Sequence, residues 1–179
     1  MNDDIIYSFK NFLKGHPFLF EMARWIAGGT RIGLSPKEAI KRVTGKIVNL
    51  GSGSQIIRKD VINLDIYPYQ NVSIVGNIYS LPFSDNEIDA VICDQVLEHL
   101  DNLSNALKEM NRVLKIGGLI YIAVPFVAGY HSSPGDYYRF TKEGISAMMG
   151  QHGFSKLESG IRQGPTSAFL SVLNKWLAL

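Results

Sequence analysis

A single cysteine in 179 residues leaves no partner for a disulfide and too few thiolates for a cysteine-built metal centre. Cys93 lies inside an apolar run and reads as core, which fits a reducing compartment, and a cytoplasmic protein is expected. An excess of charge is missing as well. Eighteen Lys and Arg stand against sixteen Asp and Glu, a net charge of +2, with no dense basic block. That balance argues against nucleic acid as a partner. No apolar run reaches the roughly 18 residues of a membrane span, so no integral span is expected. The first residues include Asp3 and Asp4 and lack the basic-then-apolar layout of a secretion leader. Repeats and low-complexity tracts are absent too. What remains is a chain 46% hydrophobic, long enough for one domain with a substantial core.

The stretch from Lys46 to Asp65, KIVNLGSGSQIIRKDVINLD, organises that domain. Ile47-Val48-Asn49-Leu50 has the length and apolarity of one buried parallel strand. It stops at Gly51-Ser52-Gly53, where glycine allows torsions costly for other residues and lets a ligand approach the main chain. Val61-Ile62-Asn63-Leu64 is a second strand, ending on Asp65. Strand, glycine turn, strand and carboxylate form the plan of a nucleoside site, with the acid accepting hydrogen bonds from ribose hydroxyls. A dinucleotide fingerprint would need a third glycine and an acid roughly 20 residues on. Ile56 fills the glycine position here, and Asp65 follows Gly51 by only fourteen residues. No Gly-Lys-Ser/Thr follows to make a P-loop. A nucleoside without pyrophosphate is the better ligand, and a nicotinamide dehydrogenase is disfavoured.

Residues 1–45 read as an N-terminal helical extension, ahead of a domain over 46–179. Ile5, Ile6, Phe9, Phe12 and Leu13 make one apolar stripe, and residues 18–27 a second helix. Ser35, Pro36 and Glu38 supply the cap, first-turn proline and capping box of a third. The aromatic load of Phe9, Phe12, Phe18 and Phe20 leaves two readings open, a lid packed on the domain or a surface for a membrane or partner. Between the glycine turn and the second strand only Ser54 to Asp60 are available, at most about two turns of helix. Further strands are expected at 72–75, 88–93, 119–124 and 154–161. Leu103, Leu107, Met110 and Leu114 carry a helix that Gly117-Gly118 would end. Thr141 caps another, and a closing helix is expected over 167–179. Such alternation predicts an α/β fold, a doubly wound, mostly parallel sheet with helices on both faces.

With these elements placed, the chain resembles the class I S-adenosylmethionine-dependent methyltransferases, most closely the type 11 methyltransferase domain. The resemblance covers roughly residues 46–160. Its most specific run is LPFSDNEIDAVICDQVLEHLDNLSNALKEMNRVLKIGGLIYIAVPF, beginning at Leu81. It implies a Rossmann-like fold, S-adenosylmethionine as cofactor, and methyl transfer to a small-molecule or saccharide-like acceptor. By position, Gly51, Ser52 and Gly53 would wrap the methionine part of the donor, and Asn49 would stand where the family's acid contacts the donor's amino group. Asp65 would hold the ribose, and Ile66, Asn77 and Ile78 would sit at adenine. Asp94 and Gln95 would line the methyl-donor pocket, with His99 a further cofactor contact. The chain departs from the family at Asn49 and Asn77, where acids are usual, and in its short segment after the glycine turn. The family commonly ends on a further strand, which this chain would lack as a fragment or trimmed form. Those departures motivate an alternative, a catalytically inactive methyltransferase-like scaffold.

His99 and Glu98 also have structural readings, as a satisfied histidine and a packing carboxylate on a helix. The loop from His131 to Phe140 gathers a base, an acid, two phenols and a guanidinium after the strand at 119–124. One reading makes it the acceptor site, with His131 or Asp136 as base and Arg139 holding an anionic acceptor. The other pairs Asp136 with Arg139 as a structural clamp. No His, Asp or Glu cluster shows metal-ligand spacing, so no metal is expected.

Overall fold

The computed structural model describes residues 33–132, 134–162, 164, 168–170 and 172–173. The helices expected over 5–13, 18–27 and 167–179 lie wholly or mostly outside the described residues. Residues 34–160 form one compact unit; residues 1–33 and 161–179 belong to a second.

Within the first unit, five strands form one sheet, β1 (Ile47–Leu50), β2 (Val61–Asp65), β3 (Ile74–Val75), β4 (Ile88–Asp94) and β5 (Leu114–Ala123). Their order is β3-β2-β1-β4-β5 and every pairing is parallel. This is the Rossmann-like sheet expected from the apolar runs. The order reverses between β1 and β4, so the crevice beyond their carboxyl ends is the topological switch point where ligands of such sheets bind.

Both faces of the sheet are buried, and the strand sequences say why. On one face Val48, Leu50, Leu64, Val91 and Cys93 pack with helix α2 (Leu103–Val113). Ile145, Met148 and Met149 of helix α3 (Lys142–Gln151) pack against the same cluster. On the other face Ile47, Val61, Ala90 and Ile92 pack with Ile40. Strands buried on both sides need apolar residues at successive positions, which is what the runs at 47–50 and 88–93 provide. Cys93 is fully buried, and burial pushes its thiol far above the ordinary range.

Helix α1 (Pro36–Ala39) begins at the expected capping box. Ser35 Oγ accepts from the Glu38 amide, while Glu38 returns a bond to the Ser35 amide. Helix α2 starts at Asn102, whose side chain accepts from the Asn105 amide, and buries Leu103, Ala106, Leu107, Met110 and Val113. It ends at Val113, four residues before the glycines expected to stop it. Leu114 is already extended and pairs with Ile88; the register then shifts, and Leu119 pairs with Ala90. Leu114 is 7% exposed, so the core that continued the apolar stripe takes it as a strand residue instead.

Two other expectations fail. Ser54 to Asp60 form turns and no helix. Arg58 holds this crossover instead, donating to the Ile40 and Val43 carbonyls at 2.9 and 3.2 Å and pairing with Asp60. Residues 154–160 form no strand; Phe154 packs against the core, and Leu157 is 84% exposed.

Arg112 of α2 ties the Leu81-Pro82-Phe83 loop to the helix. It donates to the Leu81 and Phe83 carbonyls, to Asp85, and through Nε and Nη2 to both oxygens of Glu109 at 2.8 Å. The Glu109 carboxyl is held below its usual range, chiefly by this guanidinium. Arg112→Lys should cost about 1–2 kcal/mol in urea unfolding, since an ammonium cannot reproduce the fork. A folded carboxylate with a lowered pKa stabilises above the unfolded value of about 4.3 and loses that contribution as pH falls through the folded one. Glu109→Gln should therefore flatten the acid limb of a Tm-against-pH curve below about pH 4; an unchanged limb would remove the pair from the ledger of acid stability.

Candidate active site

The carboxyl ends of β1, β2 and β4 place most of the expected donor residues along one edge. Gly51 and Gly53, after β1, have φ of +62° and +54°, the left-handed region that favours glycine. The two differ in surroundings. A Cβ on Gly51 would stand 2.5 Å from Val96 Cγ2, whereas one on Gly53 would meet nothing within 4 Å. Gly51 is required by close packing on the chain leaving β4, and Gly53 borders open space. Ser52 between them is buried, and its amide donates to the Leu64 carbonyl at 3.2 Å.

Asp65, 7% exposed at the tip of β2, locks this turn. Its Oδ2 accepts from the Gly53 amide at 2.8 Å and its Oδ1 from the Tyr67 amide at 3.0 Å. Each carboxylate oxygen has room for a second donor, so the group can hold the turn and still accept from a ligand hydroxyl. Beside it Ile66 is exposed and Ile78 half-buried. Asn77 is exposed, its Oδ1 accepting from the Tyr79 amide at 3.0 Å.

Asn49 is buried in β1 rather than facing the edge, with Nδ2 3.4 Å from Oδ1 of its register partner Asn63. Asn63 donates to the Gln55 and Asn71 carbonyls, and Asn71 to the Ser54 carbonyl. These asparagines brace the helix-free crossover. Sequence reasoning passed over Asn63 and Asn71; a polar residue at matched positions in two buried strands was the available signal. At the end of β4, Asp94 is half-buried, and Gln95 is exposed with φ +58°. A non-glycine residue in that region costs roughly 1–2 kcal/mol and marks a constrained turn at the switch point.

The remaining candidates gather after Gln95. Leu97–His99 form a short 3₁₀ turn, and Glu98 is completely buried. Its carbonyl accepts from the Tyr137 amide at 2.7 Å, bringing the 131–140 loop against it. His99 Nδ1 lies 2.6 Å from the Gly135 carbonyl, and the His99 and His131 rings meet edge-on with centroids 5.1 Å apart. Asp136, its side chain 1% exposed, takes two guanidinium donors of Arg139 and the His131 amide. The other three Arg139 donors go to the carbonyls of Ala128, Gly129 and Tyr138. All five guanidinium N–H groups are thereby engaged within the loop, and Arg139 holds its Asp136 carboxyl well below the usual range. That geometry clamps the loop and presents His131, 37% exposed, at its rim.

The glycines give a direct test of the turn. Gly53→Ala should cost only the left-handed strain, about 1–2 kcal/mol. Gly51→Ala adds the Val96 overlap and should lower Tm further, by the equivalent of at least about 1 kcal/mol. Equal losses would mean Val96 yields freely and the turn is not packed as described.

Residues 44–122 match the family described as "Methyltransferase domain". A demethylmenaquinone methyltransferase of Desulfitobacterium hafniense is 31% identical over 91 residues, 48% of this chain and 36% of that protein. An uncharacterized methyltransferase of Schizosaccharomyces pombe is 34% identical over 98 residues, 54% of this chain and 32% of that protein. The match thus spans about a third of the length of either relative. Among solved structures, a Thermotoga maritima SAM-dependent methyltransferase, described as a possible histamine N-methyltransferase, aligns with TM-score 0.56 at 20% identity. That alignment covers 83% of this chain and 90% of the other, and shows a shared fold. Over residues 44–122, fewer than half of its positions, the chain is similar to that methyltransferase-domain family.

Proposed function

We propose that the chain transfers a methyl group from S-adenosylmethionine to a small-molecule or saccharide-like acceptor. The observation that carries this reading is Asp65. A nearly buried carboxylate at the tip of β2 is bonded to the glycine turn of β1, beside the switch point, and keeps lone pairs for ribose hydroxyls. Gly51, Ser52 and Gly53 take the methionine part, with open space at Gly53 to receive it. Ile66, Asn77 and Ile78 frame adenine, Asp94 and Gln95 the sulfonium end, and Asn49 supports the turn from behind. His99 is a further contact to the donor and His131 serves the acceptor side, with Asp136 and Arg139 positioning the loop that carries His131. The quinone-precursor activity in the name of the Desulfitobacterium relative supports a small-molecule acceptor.

The chemistry asks little of side chains. A sulfonium methyl is already activated, so the protein's work is to align nucleophile and methyl in line and to exclude water. Among the described residues no helix is long and apolar enough to cross a membrane.

Isothermal titration of the full chain with S-adenosylmethionine should show one saturable site, and a dinucleotide should show none. Asp65→Ala should weaken donor binding by about 1.5–3 kcal/mol while the fold is kept. Silence with the donor would favour the scaffold reading; equal affinity in a folded Asp65→Ala variant would remove this carboxylate from the site.

A further inference from the structure

Glu98 is the one charged side chain that the fold buries completely, among the described residues, without giving it a partner. It is 0% exposed, and neither carboxylate oxygen has a hydrogen-bond partner among those residues. Leaving such a group unmatched costs at least the desolvation of a polar atom, and far more if it is ionised. Protonation does not remove the difficulty, because a neutral carboxyl adds an O–H donor that would itself need an acceptor. A buried polar group without a hydrogen-bond partner among the described residues calls for an explanation, and a role as a cation ligand is one of the few available.

The surroundings supply one. Glu98, His99 and His131 each offer a ligand atom, and the three atoms lie within 4.8 Å of one another. Both imidazoles are already oriented by the backbone. His99 Nδ1 sits 2.6 Å from the Gly135 carbonyl and His131 Nδ1 2.9 Å from the Gly129 carbonyl. A carbonyl can only accept, so Nδ1 carries the hydrogen on each ring, and Nε2 of a neutral imidazole keeps its lone pair. An imidazole donating one N–H to a backbone carbonyl while offering the other nitrogen is the usual state of a metal-bound histidine.

We propose that Glu98, His99 and His131 form a binding site for a single divalent transition-metal cation, of the zinc, cobalt, manganese or iron(II) class. Two imidazole nitrogens and one carboxylate oxygen select such a borderline cation over magnesium or calcium, which prefer all-oxygen sets. Three protein ligands leave coordination positions open to water or to an oxygen of a bound molecule. Ligand atoms around a tetrahedral zinc stand about 3.4 Å apart, so closing the set needs shifts of at most about 1.4 Å. The clamp of Asp136 and Arg139 ties His131 into the loop, which brings it to residues 32 and 33 positions earlier in the chain. The site shares His99 and His131 with the methyl-transfer reading, but it rests on Glu98 and not on Asp65.

The experiment uses the full chain stripped of metal, then titrated with Co²⁺ while visible absorption and heat are recorded, with a Zn²⁺ thermal shift alongside. One equivalent should bind with micromolar or tighter affinity, d–d bands should appear, and Tm should rise. Mg²⁺ at equal concentration should leave the Co²⁺ spectrum unchanged; displacement would overturn the assigned class. Glu98→Gln, nearly isosteric, should keep or raise the metal-free Tm while weakening Co²⁺ binding at least about tenfold, and His131→Ala should weaken it similarly. No saturable binding by the wild-type chain, or unchanged affinity in folded variants, would overturn the site. Should a variant fail to fold, X-ray absorption of the zinc-loaded wild type decides: about two imidazoles in the first shell support the site, and none contradicts it. Donor titration on the same metal-free sample separates failure here from failure of the methyltransferase reading.

Discussion

The hydrogen bond from the Gly53 amide to Asp65 is the contact on which the site depends. At 2.8 Å it joins the turn after β1 to the tip of β2, in a position 7% exposed. A charge-assisted bond in such a place is roughly twice as strong as a neutral one. It also holds Gly53 at a positive φ while leaving the space beside its Cα open. Remove the carboxylate, and the turn loses its anchor and the crevice its acceptor together. The pairing explains why the acid stands fourteen residues after the first glycine: the crossover is only long enough to bring β2 alongside β1 and no further.

Such a brief crossover would ordinarily need a helix to cover the sheet. Here polar side chains replace it. Arg58 staples the segment to residues 40 and 43, and the Asn49, Asn63 and Asn71 amides meet each other and the crossover carbonyls. An acid at position 49 would face the carboxamide oxygen or amide of Asn63 in a buried pair; asparagine can donate there, which a carboxylate cannot. The departure from the family at position 49 is thus matched by its neighbour at 63, without any appeal to lost activity.

Much of the fold was legible because the central strands β1 and β4 are buried on both faces and must be apolar at successive positions. The runs at 47–50 and 88–93 announce themselves for that reason. Gly51 and Asp65 were legible because turn chemistry is local. Failures arose where tertiary packing overrode local pattern. Leu114 sits on the helical stripe of α2, yet the core claims it for β5, and the glycines at 117 and 118 mark a shift in strand register instead of a helix end. The segment expected as a strand at 154–161 has no strand structure in its described residues, and 155–160 are exposed. Glu98, His99 and His131 were invisible as a group because ligand spacing is a sequence idea, and the loop that closes 32 residues between them is a folded one.

The central claim is that the edge formed by β1, β2 and β4 holds a nucleoside through Asp65. A crystal structure of the full chain grown with S-adenosylhomocysteine tests it most directly. The account predicts ribose hydroxyls within hydrogen-bond distance of Asp65, the homocysteine part over Gly51 to Gly53, and adenine between Ile66 and Asn77-Ile78. Nucleoside density elsewhere on the chain, with Asp65 still bonded only to Gly53 and Tyr67, would contradict it.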